Sequence, residues 1–205
     1  VHLAAQTSVP ASIENPELNN DINLRGTKNI INYANSNNIE KVVFASSAAV
    51  YGDCEDVPLV EESAGDCRSP YAESKFQSEQ DLLSLMSKET QVHILRFFNV
   101  YGPGQDANSN YAAVIPSFIQ RITSGQSPTI FGDGSQSRDF IAVSDVVNLI
   151  TQILSNHNYP QNGVYNVATQ TETSINELLR IITVSISEID NTCLLYTSDA
   201  ADEFM

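Results

Sequence analysis

The chain has 205 residues, 41% of them apolar and 17% charged, with no tryptophan and a formal charge of −15, which suits one ordinary soluble domain or a little more. Ten Lys and Arg against 25 Asp and Glu leave no basic stripe to neutralise phosphates, so a nucleic-acid or anionic-membrane partner is excluded and the acidity reads as solubility. No apolar run reaches the roughly 18 residues that span a bilayer, and the N-terminus has neither a basic region nor a signal-type cleavage site, so a cytoplasmic location is expected. Cys54, Cys67 and Cys193 lack any C-x-x-C spacing and read as reduced structural thiols.

Taken in chain order, Val1 to Ala5 reads as the last part of a buried strand whose preceding βαβ unit is expected to be missing. A Thr7-Ser8-Val9-Pro10 loop follows, then a helix from about Pro16 to Asn35, with Leu18, Ile22, Ile30, Ile31 and Ala34 at helical spacing. Lys41 to Ala45 reads as a parallel core strand, and Asp53 to Cys67 as a solvated acidic loop without metal-ligand spacing. Pro70 to Lys88 is a helix and Gln91 to Phe97 the next strand. This alternation predicts an α/β fold, a Rossmann-like doubly wound parallel sheet lacking its N-terminal strands.

Beyond Phe98 the rhythm loosens. Tyr101-Gly102-Pro103-Gly104 is turn chemistry, Ala112 to Ser124 a helix, and Phe131-Gly132-Asp133-Gly134 a hairpin turn. A short helix begins at Asp145, a strand covers Val164 to Val167, and a last helix runs from Ser174 to Thr183, where Glu177 completes a capping box. Residues 1–98 are therefore assigned to the sheet domain, to which the helix near 145–155 returns. Residues 99–192 are assigned mainly to a smaller interleaved lobe for substrate, truncated at its end. Residues 193–205 break the helical pattern, resemble the translated end of a transposase adapter, and are expected to be a non-native tail.

Chemistry concentrates between Lys41 and Lys75. Ser69 can cap the second helix, Pro70 fits its first turn, and Tyr71 and Lys75 then share one face. A tyrosine with its usual pKa near ~10 is a poor base unless a fixed cation favours the phenolate; Lys75 can be that cation. Ser47, at the carboxyl end of a parallel strand, lies where open α/β sheets bind ligands, and its hydroxyl could hold a reacting oxygen. Alone, a Tyr-x-x-x-Lys spacing is equally an ordinary exposed helix pair.

The landmarks taken together make the match specific. His2-Leu3-Ala4-Ala5-Gln6, Asn23-Leu24-Arg25-Gly26-Thr27, Ser46-Ser47-Ala48-Ala49-Val50-Tyr51-Gly52, Tyr71-x-x-x-Lys75, Arg96-Phe97-Phe98-Asn99-Val100-Tyr101-Gly102 and Phe131-Gly132-Asp133-Gly134 through Arg138-Asp139-Phe140 resemble the extended short-chain dehydrogenase/reductase family. Within it they resemble the NAD-dependent nucleotide-sugar epimerases and dehydratases, above all UDP-glucose and UDP-N-acetylglucosamine 4-epimerases. The resemblance implies that Tyr71 is the general base and acid, that Lys75 orients the nicotinamide ribose of NAD and depresses the tyrosine pKa, and that Ser47 binds the reacting sugar oxygen. It further implies that Ala4, Ala5, Asn23 and Phe98 line the cofactor with Tyr71 and Lys75. Ser8 would touch the hexose, while Asn99 and Arg138 would meet the pyrophosphate of a nucleotide-sugar substrate, UDP-linked.

Dehydratases and decarboxylases of that family carry an acidic residue near the Val-Tyr-Gly tyrosine, where this chain has Ala48 and Ala49. The resemblance therefore favours 4-epimerisation through a 4-keto sugar, with a 4,6-dehydratase or decarboxylase as the alternative, and a non-catalytic nucleotide-sugar or NAD binder as a third reading. Ser8-Val9-Pro10 and Asn110-Tyr111-Ala112-Ala113-Val114-Ile115-Pro116 resemble the branch that serves surface-polysaccharide pathways. No G-x-x-G-x-x-G occurs here, so the fragment alone is expected to bind NAD poorly and to be inactive. Family members are usually homodimers, and the helices near 16–35 and 70–88 would form that interface. No metal site is expected.

Overall fold

The computed structural model describes residues 1–54, 56–105, 113–156 and 162–190. Glu55, Asn110, Tyr111, Ala112, His157 and the 193–205 tail lie outside the described residues. In chain order, the first compact unit opens with α1 (Val9–Glu14), α2 (Pro16–Asn20), a π-helical turn (Asp21–Arg25) and α3 (Gly26–Ser36). It continues with β1 (Lys41–Ser47), 3-10 turns at Ala48–Tyr51 and Glu61–Ser63, α4 (Pro70–Leu85), β2 (Gln91–Phe97) and β3 (Asn99–Tyr101). After α5 (Val114–Thr123) and β4 (Ser137–Arg138), the chain returns to that unit as β5 (Phe140–Ala142), α6 (Val143–Ser155) and β6 (Gly163–Val167), and closes with β7 (Thr173–Ser174) and α7 (Ile175–Asp190).

The first unit holds Val1–Gly102 and Asp139–Thr171, the second Pro103–Arg138 and the chain from Glu172 onward. The sequence reading put 99–192 mainly in the lobe. In the structure the segment from Asp139 to Thr171 joins the sheet unit, because β6 is the strand that pairs with β2. β1, β2 and β6 are all parallel in the order β1-β2-β6, and His2 adds a parallel bridge to Phe44 on the far side of β1. This is the parallel, doubly covered sheet that the alternating pattern predicts.

Both faces of the sheet are apolar, as strands covered by helices on either side require. Val42, Phe44, Val92 and Ile94 pack with Ile31 and Ala34 of α3 and Leu82 of α4. On the opposite face Val43, Leu95 and Val167 pack with Ile141 and with Val146 and Ile153 of α6. The alternation of side chains along each strand thus feeds two separate cores. In the second unit α5 packs on α7, burying Phe118 and Ile122 with Leu178, Leu179 and Ile182. Phe131 to Gly134 form a turn, but the nearby ladder is antiparallel β4 with β7 and not a local hairpin. Among the described residues no helix is long and apolar enough to cross a membrane.

Candidate active site

Tyr71, Lys75 and Glu79 recur every four residues along α4, so they stand above one another on the face that meets the carboxyl end of β1. Ser69 caps this helix, accepting from Ala72 N at 3.1 Å, and Pro70 occupies its first turn. Two further side chains fasten that end: Ser12 Oγ accepts from Tyr71 N at 3.2 Å, and Asn19 Nδ2 donates to the Pro70 carbonyl at 3.0 Å. Tyr71 is held at the helix start by contacts from α1 and α2 as well as by its own cap.

Tyr71 is buried, and burial raises its phenol above the ordinary tyrosine value, while a hydrogen bond with the Ser47 side chain works in the opposite direction. Ser47 is half-buried at the end of β1, where its Oγ also accepts from Ala49 N at 3.2 Å. The expected depression of the phenol by Lys75 is not what the structure shows. The Lys75 ammonium points to the sheet, donating to the Ala45 carbonyl at 2.8 Å and lying 4.9 Å from the centre of the Phe44 ring. Burial lowers its pKa from 10.5 to about 8, with Glu79 opposing the fall.

The other predicted residues divide into those that face outward and those already engaged. Ala4 is exposed and Ala5 half-buried, just beyond the His2 bridge. Asn23 is buried and saturated: its Oδ1 accepts from Gln6 N at 2.8 Å, and its Nδ2 donates to the Gln6 carbonyl, Asn19 Oδ1 and Ser74 Oγ. It therefore shapes the loop after His2 and ties it to α4. Ser8 caps α1 through Ala11 N at 3.2 Å. Phe98 lies 6.3 Å from the Tyr51 ring, centre to centre. Asn99 is exposed, and its Nδ2 donates to the Asp139 carbonyl at 2.9 Å. Arg138 belongs to the second unit, where its Nη1 donates to the Ser137 carbonyl at 2.6 Å.

Beneath these residues lies a polar network that the motif reading left without a role. Glu79 is fully buried and accepts from Arg96 Nε at 3.0 Å, from Arg96 Nη2 at 2.7 Å and from Ser46 Oγ. Arg96 Nη1 reaches Tyr51 Oη at 3.0 Å and the Glu61 carbonyl at 2.6 Å, and Tyr51 Oη donates to Asn166 Oδ1 at 2.5 Å. Asn166 N in turn donates to Glu61 Oε1 at 2.8 Å. Glu61 is thus a pinned group and not the solvated loop residue that composition suggests. Gly52 closes this region at φ 60°, where a Cβ would stand 1.8 Å from the Asp66 carbonyl oxygen, so only glycine fits. The i+4 spacing of Glu79 from Lys75 is the signal by which sequence could have found it; Ser12 and Asn19 carry none.

The sequence model of the NAD dependent epimerase/dehydratase family matches residues 1–168. The chain belongs to this family. A putative UDP-glucose 4-epimerase of Methanocaldococcus jannaschii is 42% identical over 185 residues, covering 89% of this chain and 59% of that relative. Another family member, the UDP-N-acetylglucosamine 4-epimerase of Methanobrevibacter ruminantium M1, solved in complex with UDP-N-acetylmuramic acid, superposes with a TM-score of 0.83 at 40% identity, over 93% of this chain and 60% of its own. The human dTDP-D-glucose 4,6-dehydratase is 32% identical over 93% of this chain and 55% of its own length. The chain therefore spans somewhat over half the length of the relatives it matches, and those relatives include both epimerising and dehydrating enzymes.

The family is NAD dependent, and the residues at the end of β1 fit the nicotinamide end of that cofactor. Lys75 has three donors, of which one bonds Ala45, leaving donors suited to a ribose diol beside a buried phenol.

Proposed function

We propose that the complete gene product is an NAD-dependent nucleotide-sugar 4-epimerase, acting on a UDP-hexose or UDP-N-acetylhexosamine through a 4-keto sugar. The observation that carries this reading is the Ser47–Tyr71–Lys75 array followed directly by Ala48 and Ala49. When bound, NAD supplies a hydride acceptor and donor at sugar carbon 4. Tyr71 takes the proton of the 4-hydroxyl as carbon 4 is oxidised and returns it to the keto oxygen on reduction. The Ser47 hydroxyl holds that oxygen against the phenol. Lys75, with Ala4, Ala5, Asn23 and Phe98, holds the cofactor, Lys75 through the ribose. A keto sugar that turned over between the two half-reactions would be reduced on its other face, and its configuration would invert.

The second unit, with Arg138, is read as the substrate lobe. Within the second unit Arg138 is read as a phosphate ligand, a role that suits the planar fork of a guanidinium; within the first, Asn99 is read as a pyrophosphate contact and Ser8 as a hexose contact. Cytoplasmic nucleotide-sugar metabolism feeding surface polysaccharides is the setting proposed, with a homodimer packed through the exposed Leu18, Ile22 and Leu83 of α2, the π-turn and α4. The competing 4,6-dehydratase reading has the support of relatives such as the human enzyme, but elimination calls for an acid beside the substrate. Methyl groups follow Ser47 at both positions here. Product mass separates the two: epimerisation leaves the sugar nucleotide mass unchanged, and a product lighter by one water would overturn the proposal. Replacing Tyr71 with Phe in the complete gene product should remove turnover by a factor of about 100 or more while UDP-sugar binding persists. Unchanged turnover would refute the role given to Tyr71.

A further inference from the structure

The face of α4 that carries Tyr71 and Lys75 continues one turn further to Glu79, and this residue has been given no part in the chemistry. Its surroundings are specific. Ser46 and Arg96 are register partners across β1 and β2, so the strand pairing places a hydroxyl and a guanidinium side by side beneath α4. Glu79 receives both, the guanidinium through two nitrogens. A carboxylate with 0% exposure is fixed there by two strands at once. One residue before Ser46, the Ala45 carbonyl accepts from Lys75. Two residues after Ala45, Ser47 meets Tyr71. Three successive residues of β1 thus answer three successive turns of α4.

Lys75 is only 4% exposed, and burial disfavours its charged form. The groups around it are few. On its own helix stand Tyr71 and Glu79, from the N-terminal bridge comes His2, and β1 offers the Ala45 carbonyl and the Phe44 ring, its Ser46 and Ser47 hydroxyls being taken by Glu79 and Tyr71. From β2 the cation Arg96 stands on Glu79. Among these, Glu79 is the anion. We propose that Glu79 is a positioning residue for Lys75: clamped by Arg96 and Ser46, its carboxylate supplies the fixed counter-charge that keeps the buried ammonium charged at neutral pH. Arg96 fixes the carboxylate in place through two of its nitrogens, and Ser46 donates to Glu79 Oε1.

This inference rests on the epimerase reading for its purpose, since a charged Lys75 is what the ribose and phenol call for, but its test reads a proton and not turnover. The chain has four lysines. In the complete gene product, lysine labelled with carbon-13 at Cε is titrated by NMR, and the Lys75 resonance is assigned by its disappearance in Lys75→Arg. Glu79→Gln should move the Lys75 midpoint down by about one pH unit or more, a tenfold shift, and Glu79→Asp should restore part of it. A folded Glu79→Gln protein whose Lys75 midpoint is unmoved overturns the proposal, even if its thermal stability falls, because a packing role alone would act on stability only. If Arg96 left without a partner prevents that variant from folding, Glu79→Gln combined with Arg96→Met removes both charges. Its Lys75 midpoint should still fall, Glu79 being one helical turn away and Arg96 beyond it, and an unchanged midpoint there overturns the proposal as well. A protein with the shifted midpoint but no epimerase activity would count against the functional reading alone.

Discussion

Lys75 shows how a motif residue and its setting can pull apart. Its pKa falls from 10.5 to about 8 in the folded chain, so between those values the unfolded state binds more protons than the folded one, and stability gained from this site rises with pH. Below pH 8 the buried ammonium costs on the order of 3 kcal/mol relative to the exposed one. Lys75→Met, which keeps the length of the side chain without its charge, should therefore be more stable than the parent at pH 7, with the difference shrinking toward pH 10. Paired urea titrations at the two pH values check this, and a difference that stays constant would contradict the burial argument. Tyr71, Lys75 and Ser47 were legible in the sequence because a helix and a strand end fix their spacing locally. The Glu79–Arg96 pair was not, since it depends on Arg96 standing opposite Ser46 across a ladder whose partners lie 50 residues apart.

At the scale of elements, the N-terminus of α4 is the joint on which the site turns. Its cap, Ser69, was visible in sequence, as was Pro70 behind it. The ties from Ser12 and Asn19 were hidden, because they come from helices that contact α4 only once the chain is folded. Replacing Ser69 with Ala should cost about 1 kcal/mol of stability and lower kcat more than KM, since it loosens the backbone that carries Tyr71. Chemical denaturation and steady-state kinetics on the complete gene product measure both; a loss of stability with kcat intact would show that the cap serves the helix and not the site. The π-helical turn at Asp21–Arg25 interrupts what apolar periodicity marks as one helix from Pro16 to Asn35. The pattern could not reveal it, because five residues are too short a stretch for their apolar spacing to show the changed pitch. The turn carries Asn23, whose carbonyl accepts from Thr27 Oγ1 at 2.6 Å and whose amide spans to Gln6 and Ser74, in keeping with the tendency of such bulges to fall at functional positions.

For the molecule as a whole, the α/β class and the parallel sheet followed from strands that alternate with helices, and so did the return of the helix near 145–155 to the sheet unit. The bounds of that return did not: composition shifts little at Asp139, and the pairing of β6 with β2 extends it over Asp139–Thr171. This pairing makes β2 the inner strand, sealed along both edges by β1 and β6. Its backbone amides at Ile94 and Leu95 have no edge from which solvent can enter, so they should exchange with deuterium only when the sheet comes apart, with an opening free energy equal to that of global unfolding. Exchange measured by NMR and compared with denaturant unfolding checks this, and faster exchange at these amides would reveal a smaller opening. Arg96 is the next residue along the same strand. The strand that carries the guanidinium under the helix is consequently anchored as deeply as the fold itself, and any loosening of the site has to begin from the α4 side.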